Sequence, residues 1–249
     1  RDVERSRGLG DVYKRQGEIL HATGLGTNVP LSKLNGGRPF VLLDACEETP
    51  TVDAVNFPNE EAERAAMQHL IDRGCRNIAI VGHRFAPRAD LAHAQNAFAL
   101  RLRGACGALS DAGLPYDESM VFEAGDVANG IIAGHAIAER ILAARSGHGG
   151  TEFDGACCAN DFAAFGVIRG LADRGLRVPQ DVKVIGFDGV TSGSYTTPAL
   201  STIQVDLTQL AKFSVDMLSE RIDHGTDEAL PPRRAIIGYQ LVDRESTAV

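Results

Sequence analysis

An alternation constrains this chain more than any single residue does. From Gly17 onward, short apolar runs of strand length alternate with longer stretches of helical period. The runs are Glu18–Leu20, Phe40–Leu43, Ile78–Val81, Met120–Glu123, Gly155–Ala159, Val182–Phe187, Thr202–Val205 and Ala235–Val242. Several are apolar on both faces, as strands of a sheet covered on both sides by helices should be. Strand, helix, strand in repetition predicts an α/β fold with parallel sheet and right-handed crossovers. The helices have readable ends. Asn59 stands as a cap before Glu60 and Glu61, which suit the positive end of a helix dipole. That helix turns Ala62, Ala65, Ala66, His69 and Leu70 to one face and stops at Gly74. Another runs from Asp161 to Gly175, with Pro179 beyond it. A third opens on Asp206 and Gln209 at capping-box spacing and faces inward with Leu207, Leu210, Ala211, Met217, Leu218 and Ile222.

Open α/β sheets bind ligands beyond the carboxyl ends of their strands. Those ends carry Asp44, Gly82 with His83, Asn160 with Asp161, and Asp188. Polar side chains gathered on one rim fit a binder as well as an enzyme. No GxxxxGK[ST] loop is present, and Gly24-Leu25-Gly26 lacks the third glycine of a dinucleotide fingerprint. HExxH is missing, the histidines have no metal-ligand spacing, and Gly189–Tyr195 does not make a nucleophile elbow. His83 and His93 have no nucleophile nearby in sequence and read as structural. The expectation is therefore no catalytic residue, no metal, no cofactor and no enzymatic turnover. An α/β enzyme acting on a small sugar or nucleoside is the weaker alternative.

Composition excludes further classes. The 249 residues carry a net charge of −8 without a basic stripe, which argues against direct contact with a phosphate backbone. No run of apolar residues is long enough for a transmembrane helix. The cysteines, Cys46, Cys75, Cys106, Cys157 and Cys158, are odd in number and irregularly spaced, so they read as small hydrophobes in a reducing, cytoplasmic setting. Arg1–Gln16 has neither period and no apolar segment of a signal peptide. It is expected to be a tail or cloning artefact, the alternative being a short genuine terminus.

The stretch Ala159–Asp188, ANDFAAFGVIRGLADRGLRVPQDVKVIGFD, resembles the AND…GLRVP.DV.VIGFD signature of the lactose-repressor (LacI/GalR) family of bacterial transcription regulators. Tyr195–Ile203 is similar to that family's Y..P.LTT[IV] segment, and Leu241–Thr247 to its closing LV.REST. His69–Gly74, Ile78–Gly82, and Arg101 three residues before Gly104 stand at matching places. The resemblance runs from about Gly17 to Thr247. It implies a two-lobed periplasmic-binding-protein-like effector domain, with parallel sheets flanked by helices and a small effector, a sugar or nucleoside, in the cleft. The chain is expected to cross between lobes near Asn56, Gln204 and Pro232. Residues 17–56 with 205–232 would form a partial first lobe, and 57–204 with 233–249 the second. By the family's pattern the DNA-binding headpiece and the first two βα units of the first lobe are absent, so operator DNA would be met only through the missing headpiece. The first lobe is then incomplete, its leading strand is a raw edge, and the fragment alone is expected to fold poorly or aggregate. The intact parent would be a homodimer, with no membrane partner. The alternative of the same architecture is a sugar transporter's solute-binding protein, which would need a secretory signal peptide.

Five residues carry the ligand expectation. Asp188 ends its strand at the family's aspartate and would accept hydroxyl hydrogen bonds, where a turn-forming aspartate is the plainer reading. Arg101 offers a guanidinium fork to vicinal hydroxyls or a carboxylate, against a solvated helix charge. Asn160 is assigned to the ligand and Asp161 to the helix cap. Asp44 matches a position where some relatives touch effector. Phe162 would stack on a sugar ring, or else serve packing. Departures from the family are Gly189 after Asp188, Cys75 after Gly74, and Val127 where relatives often hold an aromatic. Cys46 beside Asp44 is weighed as a thiol sensor and set low.

Overall fold

The computed structural model describes residues 16–22, 38–47, 49–123, 130–146, 153–224 and 230–248. Val127, Gly24–Gly26 and nearly all of the Arg1–Gln16 segment lie outside the described residues. In chain order the elements are β1 (Glu18–His21), β2 (Phe40–Leu43), β3 (Ala54–Asn56), α1 (Asn59–Asp72), β4 (Ile78–Val81), α2 (Arg88–Leu91), α3 (Ala97–Asp111) and β5 (Val121–Phe122). There follow α4 (Gly130–Ser146), β6 (Gly155–Cys158), α5 (Asp161–Asp173), β7 (Lys183–Asp188), β8 (Ser201–Val205), α6 (Leu207–His224), β9 (Arg234–Ile236) and β10 (Tyr239–Val242). The chain divides into two compact units, Arg1–Asn56 with Leu207–Ile237, and Phe57–Asp206 with Gly238–Val249.

The first unit is a parallel sheet in the order β1-β2-β3-β9, with α6 laid across β1, β2 and β3. Val41, Leu42, Ala54 and Val55 of this sheet are buried, neighbours in sequence on opposite faces. At the start of β3 the buried Asp53 takes Arg221 Nε and Nη2, each at 2.8 Å, and the Arg233 backbone N–H at 2.8 Å. Burial by itself would raise this carboxyl, but the hydrogen bonds from Arg221 and Arg233 outweigh it and hold the group below its ordinary value.

The second unit is a sheet in the order β10-β8-β7-β6-β4-β5, parallel except for β10, which runs antiparallel to β8. Alternation along each strand sorts its two faces. Ala79, Val81, Ala156, Cys158 and Val184 join Ile137, Ile141, Val167 and Leu171 of α4 and α5 in one core. Ile78, Ile80, Cys157, Ile185 and Phe187 are buried on the other face, that of α1 and α3. A Cβ on Gly104 would run into the Glu60 carbonyl, so this glycine lets α3 meet α1 backbone to backbone. Strand order reverses between β4 and β6, which places the unit's topological switch point at their carboxyl ends.

Three local expectations change. The run Ala235–Val242 is two strands in different sheets, and the last crossing falls at Ile237–Gly238 rather than near Pro232. Ile237 N–H bonds to the Asn56 carbonyl at 3.0 Å, while the Gly238 carbonyl accepts from Asp206 N–H at 3.0 Å. Asn59 is inside α1 instead of capping it, and Pro58 holds the cap position without a side-chain bond. Finally, β3 was not legible as a strand, being only three residues long. The glycine stops do occur: Gly74 and Gly175 have φ of 91° and 75°.

Candidate ligand site

Arg101 organises the rim of the second unit. Its side chain comes from α3 and is held on several sides. Nε donates to Asn59 Oδ1 at 2.8 Å, and Nη1 to the Ala159 carbonyl at 2.6 Å. The guanidinium lies 3.6 Å from the centroid of the Phe187 ring, with Phe98 at 6.0 Å. This residue is 8% exposed. Nη2 has no hydrogen-bond partner among the described residues. A planar cation fixed by stacking and two bonds, with a donor left over, is prepared for an acceptor at little entropic cost.

These contacts bring the predicted residues together through their chain neighbours. Phe187, under the guanidinium, precedes Asp188 at the end of β7. Ala159, which accepts from Nη1, precedes Asn160. Asp188 has φ of 114° and Asp44, in the first unit, has φ of 59°. Left-handed backbone is disfavoured for a residue with a Cβ, and strain of this kind concentrates at ligand sites. Both aspartates end parallel strands. Beside Asp44, Asn56 Nδ2 donates to the Ala45 carbonyl at 2.7 Å, and Asn56 Oδ1 is buried without a partner among the described residues. Cys46 Sγ is 3.5 Å from the Asp44 carbonyl.

The cap of α5 is Asn160, where Asp161 was expected. Its Oδ1 accepts from Ala163 N–H at 2.8 Å. Asp161 is a buried brace, taking the Thr202 hydroxyl at 2.6 Å and Val190 N–H at 2.7 Å. Local cap preference does not separate two adjacent good cappers; the reach of Asp161 to β8 does. Capping uses only the oxygen of Asn160, and its amide nitrogen has no partner among the described residues. Phe162, by contrast, is 45% exposed and meets Phe165 edge to face at 6.0 Å. It is not a core residue.

Sequence reading missed two members of this neighbourhood. Asn59 spends its side chain on Arg101, a partner forty-two positions away that no cap rule reveals. One turn further along α1, Glu63 is wholly buried, 3.6 Å from the buried His83 Nε2, and accepts from Cys157 Sγ at 3.4 Å. The i, i+4 spacing of Asn59 and Glu63 on an inward face was the available signal. Burial, followed by the nearby Glu63, pushes the Cys157 thiol far above its ordinary value, so it is an inert core thiol. Among the described residues no cluster of histidine, cysteine and carboxylate side chains would hold a metal ion. A separate hollow of about 390 Å³ lies near Arg84, Phe85, Asn96 and Phe98, and Arg101, Asn160 and Asp188 are not among its walls.

Residues 67–247 match the periplasmic-binding-protein-like domain family. A LacI-family putative transcriptional regulator from Sanguibacter keddieii has the same fold, with a TM-score of 0.77 and 32% identity over 98% of this chain and 84% of that one. The chain belongs to the LacI family. Within it, the HTH-type transcriptional repressor PurR of Aliivibrio fischeri (strain ATCC 700601 / ES114) is 31% identical over 192 residues, which are 77% of this chain and 53% of the repressor. The chain thus spans about half the length of the curated LacI-family relatives it matches. A LacI family regulator from Enterococcus faecium, solved with bound ribose, has a TM-score of 0.73 and 26% identity, covering 94% of this chain and 80% of that one.

Proposed function

We propose that this chain is the effector-binding part of a LacI-family transcriptional regulator, and that the second unit's rim grips a small polyhydroxylated molecule, a sugar or nucleoside, without transforming it. Arg101 donates through Nη2, Asp188 accepts from hydroxyls, Asn160 donates through its amide, and Phe162 offers its exposed ring. Asp44, in the first unit, is proposed as an effector contact on its own strained backbone. One observation carries the reading: a buried guanidinium with an unspent donor, bonded at the carboxyl end of β6 by the switch point and stacked on Phe187, the residue before an aspartate in left-handed backbone. The ribose held by the Enterococcus faecium regulator supports the ligand class. The regulators among the relatives support this role over that of a transporter's solute-binding protein.

The mechanism is population shift. An effector that binds one arrangement of the regulator better biases the protein toward it, and DNA affinity changes by the same coupling. Operator DNA is assigned to parts of a cytoplasmic, homodimeric regulator other than these acidic residues, whose net charge is −8. Titration calorimetry against pentoses, hexoses, disaccharides and nucleosides tests the reading, with product analysis of each mixture. Saturable heat from a member of that panel, without chemical change in it, is expected. Turnover of a bound sugar, or no binding across the panel, refutes it.

A further inference from the structure

Asp161 is completely buried and bonded on both oxygens. Oδ1 lies 2.6 Å from Thr202 Oγ1, and Oδ2 accepts Val190 N–H at 2.7 Å. Val190, two residues after Asp188, therefore hangs from it, and the Gly189 amide lowers the same carboxyl. The strand beneath makes room, since a Cβ on Gly186 would run into Asp161 Oδ1. Thr202 Oγ1 is also 3.3 Å from the Ile203 carbonyl. A hydroxyl has one proton to give. It goes to an ionised Asp161, or it goes to Ile203 while a protonated Asp161 donates to Thr202 Oγ1. Both arrangements use the same heavy-atom positions.

We propose that Asp161 is a positioning residue for Asp188, and that its proton, passed across the Thr202 hydroxyl, makes effector affinity depend on pH. The inference rests on the reading that Asp188 contacts the effector. An ionised carboxylate holds the Val190 amide by a charge-assisted bond, roughly twice as strong as a neutral one. The turn behind Asp188 is therefore firmer when Asp161 is charged. Burial pushes this carboxyl up to about 6, against the pull of Thr202, Val190, Gly189 and the Arg244 charge. The other ionisable groups that face it are the Cys158 thiol and Arg244.

The test begins without ligand. Amide resonances of Gly189 and Val190 in the isotope-labelled intact regulator are followed from about pH 5 to about pH 7.5. A step centred near pH 6 is expected in the wild type, and none in Asp161→Asn, whose carboxamide imitates the protonated acid. Thr202→Val removes a donor to the charged form and should move the step to higher pH. It also serves if Asp161→Asn does not fold. A missing wild-type step, a step that survives in Asp161→Asn, or one unmoved by Thr202→Val overturns the switch. The second arm is calorimetry with D-ribose at the two ends of that range. Binding about fivefold weaker at the acid end, and flat in Asp161→Asn, is expected. Ribose bound equally at both ends by the wild type overturns the switch and leaves the rim's ligand reading standing. Failure of ribose and of every other sugar and nucleoside in the panel at both ends overturns that reading, and the inference with it.

Discussion

Asp53 in the first unit and Asp161 in the second are the same carboxyl group in buried settings that act on it in opposite directions. Asp53 sits at the amino end of β3 with two guanidinium partners, Arg221 and Arg233, and is held below its ordinary value. Asp161 sits beyond the carboxyl end of β6 with neutral hydrogen-bond donors, the Thr202 hydroxyl and the Val190 amide, no guanidinium bonded to it among the described residues, and is pushed up by burial to about 6. Burial penalises both charges. A paired positive charge reverses the penalty, while neutral donors only reduce it. The first arrangement ties β3 to α6 and to the residue before β9; in the second, burial outweighs the donors.

Substitutions can break or sharpen this contrast. The largest effect is expected from Asp53→Ala, which leaves two guanidiniums facing each other over a buried void. It should cost about 3–5 kcal/mol in urea denaturation, and a loss below about 1 kcal/mol would show that partial solvation already satisfies the arginines. Next come the pH slopes. The lowered Asp53 stabilises above its unfolded value of 3.8, and that contribution is lost as pH falls through its folded value. Asp161 runs the other way. Its folded value is raised, so its contribution is complete below 3.8 and is lost as pH rises through about 6. Between about pH 4 and about pH 7.5 this one group should remove roughly 2–3 kcal/mol of stability, and Asp161→Asn should flatten that part of the profile. An unchanged profile in the variant would assign the slope to other groups.

Arg101→Met probes the rim itself. It keeps much of the volume over Phe187 but removes the charge and its bonds, and should cost about 1.5–3 kcal/mol of sugar binding, measured calorimetrically. An unchanged affinity would remove Arg101 from the ligand set. The smallest effect is predicted for Phe162→Ser. The exposed ring contributes less than about 0.5 kcal/mol to folding, yet its loss should weaken a ring-stacked sugar by about 0.5–1 kcal/mol. A fall in melting temperature without a change in affinity would make Phe162 a packing residue.

Much of this was legible in the residues. Ile78–Val81 is apolar throughout and is buried at every position, as a strand covered on both faces must be. Asp188, Arg101 and Asn160 were singled out, and each lies on or next to the Arg101 network. The roles around them were harder. Asn59 looks like a cap because cap preference is local, yet its oxygen is spent on Arg101, far along the chain. Asn160 and Asp161 are both good cappers, and only the position of Thr202 on β8 separates them. Ala235–Val242 is continuous in hydropathy and discontinuous in space.

By itself the sequence determined the alternation of strands and helices, the polar strand ends and the family signature, because period and composition act over a few residues at a time. Tertiary structure alone decided which carboxyl is raised and which lowered, which amide caps and which arginine is clamped. Those outcomes depend on desolvation and on partners brought close by sheet order, and neither quantity exists until distant strands lie side by side.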